Sequence, residues 1–244
     1  MRVLVIPDIH LKTWIFDRAE KILKDGKADR AACLMDIPDD WNMEFQIERY
    51  KETFDRAIAF AVDYPDTLWC YGNHDVCYPW GRLETGYSPY AERMVMSKLE
   101  ELENSLKSPA QINIIHRIDN VLFSHGGFTA DFLKWLDEDL LFADIDDVIA
   151  AVNDASHDYL WNDESPLWFR PQYETKIKVE DTELVANKLR AYDELYYAQI
   201  ITKLNGMRWN CLRRLLSPKR GIRQQYIYFC SLTDHSSKKK SLDK

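Results

Sequence analysis

The chain has 244 residues, of which 46% are apolar and 13% aromatic, enough for a sizeable core and too hydrophobic for a disordered polymer. Its net charge of -8 and sequence pI of about 5.3 make it a poor non-specific binder of nucleic acid. No run approaches the ~20 apolar residues of a membrane helix, and the N-terminal run Val3 to Ile6 is too short for a signal peptide. Five widely spaced cysteines, with no Cys-x-x-Cys pair, suit a reducing compartment. A soluble, cytoplasmic protein is expected.

Val3-Leu4-Val5-Ile6 reads as a strand buried on both faces, and it ends at Pro7-Asp8-Ile9-His10. The apolar spacing predicts a helix from Trp14 to Asp25, with Gly26 placed to cap it. A second strand, Ala31 to Met35, ends at Asp36-Ile37-Pro38-Asp39-Asp40. A long helix follows from Met43 to Val62, where Tyr50, Phe54, Ile58 and Ala61 recur at helical steps. The third strand, Leu68 to Tyr71, runs into Gly72-Asn73-His74-Asp75, with Gly72 expected to supply a sharp turn. Another helix is expected from Pro89 to Leu106, and then a hairpin of Ile112–Ile118 with Val121–Ser124, turning at Asp119-Asn120. The hairpin ends in a fourth polar cluster, Ser124-His125-Gly126-Gly127. A helix from Asp144 to Asn153 and an aromatic-rich loop lead to Ser165-Pro166-Leu167-Trp168-Phe169-Arg170-Pro171.

Beyond Pro171 the charge reverses. Residues 172–244 hold 15 Lys and Arg against 8 Asp and Glu, whereas residues 1–171 hold 17 against 32. A unit of residues 1–171 and an atypical basic segment of 172–244 are therefore expected, the latter with one helix from Glu180 to Asn205 and a solvated tail. The run Arg208, Arg213, Arg214, Lys219, Arg220 and Arg223 reads as a solvated face rather than a nucleic-acid surface.

Strand, helix, strand, helix, strand predicts parallel pairing, which sets the polar clusters along one sheet edge. Two carboxylates, an Asn oxygen and two imidazoles are a mixed oxygen and nitrogen donor set, suited to Mn, Fe or Zn. Asp8 and His10 can share one metal, Asp36 can bridge through its two oxygens, and Asn73 with His125 can hold the second. Two metals about 3.5–4 Å apart clamp a phosphoryl group and acidify a water. His74, oriented by Asp39, suits proton delivery to a leaving alkoxide.

The order Asp8-x-His10, Asp36-x-x-Asp39, Gly72-Asn73-His74-Asp75 and His125-Gly126, each after a strand, resembles the calcineurin-like metallophosphoesterase superfamily. Ser165 to Pro171 is similar to a segment of its bacterial serine/threonine protein phosphatase-like members. The resemblance implies an α/β/β/α sandwich of two mixed sheets, incomplete at its C-terminus. It implies two divalent metals, hydrolysis of a phosphorylated protein or small molecule, and His74 as general acid paired with Asp39. Asp8, His10, Asp36, Asn73 and His125 take the ligand positions, and Arg170 takes a phosphate-contacting one.

Two departures stand out. Met35 occupies a position where the family carries Gly, and a side chain there is expected to crowd the pocket. The downstream Gly-His motif that supplies a last ligand is absent; after His125 only His157 and His235 remain, neither preceded by Gly. A catalytically impaired binding protein on the same fold is the alternative reading. His116, on a predicted strand, reads as structural.

Overall fold

The computed structural model describes residues 1–119, 121–127, 129–136 and 144–169, and the backbone of Tyr196–Tyr197. Its first half is the expected alternation: β1 (Val3–Ile6), α1 (Trp14–Lys24), β2 (Arg30–Cys33), α2 (Ile47–Asp63) and β3 (Leu68–Cys70). Next come a one-turn helix α3 (Asn73–Val76), α4 (Glu92–Ser105) and β4 (Ile112–Asn113). The four strands pair in parallel, in the order β1-β2-β3-β4. Parallel crossovers are right-handed, so a strand order that never reverses puts every crossover helix on the same face. That face carries Leu4, Ile6, Cys33 and Trp69, clustered with Phe16, Tyr50, Phe54, Phe60, Val95 and Leu99. Fully burying such side chains is worth roughly 1.5–3 kcal/mol each.

The other face carries Val3, Val5, Ala32, Leu34, Leu68 and Cys70, and these cluster with Ile118, Val121 and Phe123 of a second sheet. That sheet is built from β5 (Ile115–Ile118), β6 (Val121–Ser124) and β7 (Tyr196–Tyr197). β5 and β6 are antiparallel, and β7 lies parallel to β6. On its far side Ile115 and Leu122 pack with Phe132 and Leu133 of α5 (Ala130–Leu136) and with Ile145, Val148 and Val152 of α6 (Ile145–Asn153). A further short helix, α7 (His157–Leu160), follows. The result is the expected α/β/β/α sandwich, with an all-parallel first sheet among the described strands and a mixed second one.

The local signals are met in most places. Gly26, at φ +64°, closes α1: its N–H reaches the Leu23 carbonyl, and that of Lys27 reaches Ile22. The Asp144 side chain caps α6 through the N–H groups of Asp146 and Asp147. The run Ile112 to Ile118 is not one strand: it breaks at Ile114, where the chain leaves the first sheet and enters the second. The long helix begins at Ile47 rather than Met43, because residues 43–46 form turns. Asn120 and most of the helix expected from Glu180 to Asn205 lie outside the described residues, but Tyr196–Tyr197 are strand, not helix.

Candidate active site

The loops leaving β1 and β2 stay hydrogen-bonded beyond the strands. Ile9, His10 and Leu11 donate their N–H groups to the carbonyls of Met35, Asp36 and Ile37. This lacing needs unusual backbone: His10, Leu11, Met35, Asp36 and Asp39 all have φ between 43° and 64°. Each such non-glycine residue costs about 1–2 kcal/mol, and such strain concentrates at functional sites. Met35 therefore fits a position where glycine is usual. Its side chain does not crowd the site, contrary to expectation: it is fully buried in the cluster that includes Leu4, Phe16 and Trp69.

Asp75 ties the third loop to the second. Its carboxylate accepts from the N–H groups of Asp36 (2.8 Å), Ile37 (2.9 Å) and Gly72 (2.9 Å). Burial and the Asp36 charge push this carboxyl up, against the three N–H groups that favour its ionised form. Sequence spacing alone assigns Asp75 no role. The one signal was an acidic residue three places after a helix-starting glycine, able to reach back to that glycine's N–H. Gly72 also differs from expectation. Its backbone is extended, with φ −101°, so a turn is not what requires glycine. Space is: a Cβ there would lie 2.0 Å from Asp36 Oδ1 and 2.9 Å from His125 Nδ1.

On this scaffold the four clusters converge. His125, fully buried, has Nδ1 2.7 Å from the Leu34 carbonyl and Nε2 3.0 Å from Asp36 Oδ2. His10 has Nδ1 2.9 Å from the Asp39 carbonyl and Nε2 3.7 Å from Asp36 Oδ2. A carbonyl only accepts, so in each ring Nδ1 carries the proton and Nε2 faces a carboxylate oxygen. A bare nitrogen against a carboxylate oxygen repels unless a cation lies between them or the ring takes a second proton. Asp8 Oδ1 is 3.6 Å from His125 Nδ1. Burial works to raise the Asp36 carboxyl, but His125, His74 and His10 together hold it well below the usual carboxylate range.

Among the described residues, two groups of donor atoms lie close enough to hold a cation: His10, Asp36 and His74, and Asp8, Asp36 and His125. Asp36 belongs to both. The donor set, with histidines whose second nitrogen is fixed by a backbone carbonyl, fits divalent metals. Asn73 is buried at the start of α3, next to Gly72.

His74 sits at the rim, its ring edge-on to His10 with centroids 5.1 Å apart. Its Nδ1 is 3.0 Å from Asp39 Oδ2, and its backbone N–H donates to Asp36 Oδ1. Burial alone lowers the His74 pKa, but the hydrogen bond to Asp39 and the charges of Asp36, Asp39 and Glu84 outweigh it and lift the ring to about 9.

Arg170 lies outside the described residues. Its chain neighbour Phe169 pairs with Gly127, and Gly126 donates to the Pro166 carbonyl, so this segment docks on the His125 loop. His157 is exposed and stacks on Trp80, with centroids 4.1 Å apart. His235 lies outside the described residues. His116 is buried, with Nε2 2.9 Å from the Trp69 carbonyl. Among the described residues, no helix is long and apolar enough to cross a membrane.

Among known families, the calcineurin-like phosphoesterases match residues 1–198. No curated protein and no solved structure matches the chain significantly. Members of the matching family act on phosphate esters and generally bind two divalent metals. A match of that extent makes this chain a member of the calcineurin-like phosphoesterase family.

Proposed function

We propose that the chain is a metal-dependent phosphomonoesterase, similar to the serine/threonine protein phosphatase-like members of its family. The observation that carries this reading is the position of Asp36, whose carboxylate belongs to both candidate donor groups. The order of the motifs assigns Asp8 and His10 to one metal and Asn73 and His125 to the other, with Asp36 on both, whereas the donor atoms that lie together are those of Asp8, Asp36 and His125 and those of His10, Asp36 and His74. The donor set favours Mn, Fe or Zn. Divalent cations held there supply positive charge for the phosphoryl oxygens and acidify a water.

His74 is assigned as the general acid. Its Nδ1 is engaged by Asp39, so Nε2 is the atom that hands a proton to the leaving oxygen. The hydrogen bond to Asp39 opposes burial and favours the ring that carries that proton. Arg170 is assigned to the substrate phosphate, which the docking of Phe169 on Gly127 supports. All these residues lie within 1–171, while the family match to residue 198 and the pairing of β7 with β6 carry the unit past Pro171. The substrate is a phosphorylated protein or small molecule. The impaired-protein reading is not favoured, since a binding module has no need of an assembled Asp39–His74 pair.

The test is hydrolysis of an aryl phosphate by Mn-reconstituted protein and its His74→Ala variant. The variant is expected to lose about 10²–10⁴-fold in kcat while keeping its metals. Equal rates in the two proteins would contradict the assignment.

A further inference from the structure

The proton-delivering pair has an outer support. Asp39 is almost fully buried, at 1% exposure, and its backbone is left-handed, with φ 64°. Oδ2 faces His74. Oδ1 accepts from two phenols, Tyr50 at 3.0 Å and Tyr78 at 2.6 Å. Tyr50 comes from α2 and Tyr78 from the chain just after α3, so two separate elements close on one carboxylate oxygen. The direction of the second bond is fixed, because the Tyr78 hydroxyl accepts from the Ser88 N–H and its own proton is left for Asp39. Tyr78 is itself packed flat against Tyr87, with centroids 4.5 Å apart. Burial and the Asp39 charge push both phenols up, so both stay protonated donors.

The same residue serves a second neighbour, since its carbonyl is 2.9 Å from His10 Nδ1. Any swing of Asp39 therefore disturbs a candidate metal ligand and the candidate acid together.

We propose that Tyr50 and Tyr78 are positioning residues that hold Asp39 Oδ2 on His74, and so fix the direction from which His74 gives its proton. The proposal rests on the general-acid reading above. Both phenols bond to Asp39 and act through it. Without them Oδ1 is buried with no donor, and the carboxylate is free to rotate away from the ring or to take up a proton.

The test compares wild type, Tyr50→Phe, Tyr78→Phe and the double variant, all full length. Two esters are used with Mn-loaded protein: 4-nitrophenyl phosphate, whose leaving group needs little protonation, and an alkyl phosphate, whose leaving group needs much. The double variant is expected to lose about 10-fold or more in kcat on the alkyl ester and about 3-fold or less on the nitrophenyl ester, with KM unchanged. The ring N–H signal of His74, assigned by its absence in His74→Ala, is also followed by NMR in metal-free protein. It is expected to be sharp and downfield in wild type and shifted or lost in the double variant. Equal losses on both esters, or an unmoved ring signal, would overturn the proposal. If wild type hydrolyses neither ester, the general-acid reading fails, and the NMR comparison still decides whether the phenols hold Asp39 on His74. If the double variant does not fold, each single variant carries the same comparison.

Discussion

The middle of the first sheet and its carboxyl edge obey different rules, and two buried histidines mark the contrast. His116 and His125 both bond to a carbonyl of the first sheet's chain, Trp69 in one case and Leu34 in the other. Beside His116 the charged neighbour is Arg30 and not a carboxylate, and burial pushes the ring down to about 4. Around His125 there are two carboxylates, Asp8 and Asp36, and strained loops laced to one another. The same side chain is a neutral strut in one place and a candidate ligand in the other. Nearby charge makes the difference, not burial.

The contrast breaks most severely at Gly72. Gly72→Ala puts a methyl group into Asp36, and a 1 Å displacement at a reacting centre can cost ~100-fold. We expect Mn-dependent hydrolysis to fall by at least that factor while the circular dichroism spectrum of the sheet is kept; an unchanged rate would mean that Asp36 is not held as described.

The sheet interior makes a prediction in pH. His116 is neutral in both states above about pH 6.5, so it contributes no slope there. As the pH falls from 6.5 towards 4, the unfolded chain takes up a proton that the folded one refuses. Stability should therefore drop through that window and level off below it. Relative to His116→Gln, wild type should lose about 3 kcal/mol between those pH values, read from urea unfolding midpoints.

The smallest effect concerns Met35. Both Gly and Ala remove its buried side chain, but only Gly is at ease at φ 49°. Met35→Gly should unfold at least about 1 kcal/mol later than Met35→Ala, the reverse of the usual order in a buried site. Equal stabilities would show that the left-handed backbone at Met35 is not strained.

Much of the first half was legible in the sequence, because continuous apolar runs followed directly by Asp, His or Asn are the signature of buried parallel strands that present groups at one edge. At Gly72 the sequence shows that the residue is glycine, not whether dihedral or space requires it. The break at Ile114 was invisible, since an unbroken apolar run looks the same whether it stays in one sheet or crosses to another. Tyr50 falls in an apolar helical stripe, which is true of its ring and silent about its hydroxyl. That Tyr50 and Tyr78 meet on Asp39 is a tertiary fact, set by how α2 and the chain after α3 pack, and no local spacing encodes it.

That Asp36 serves two cations at once is tested most directly by metal per chain after reconstitution with Mn, for wild type and Asp36→Asn. About two equivalents and phosphate-ester hydrolysis are expected in wild type, with fewer than one equivalent and no hydrolysis in the variant. Two equivalents retained by Asp36→Asn, or none bound by wild type, would contradict it.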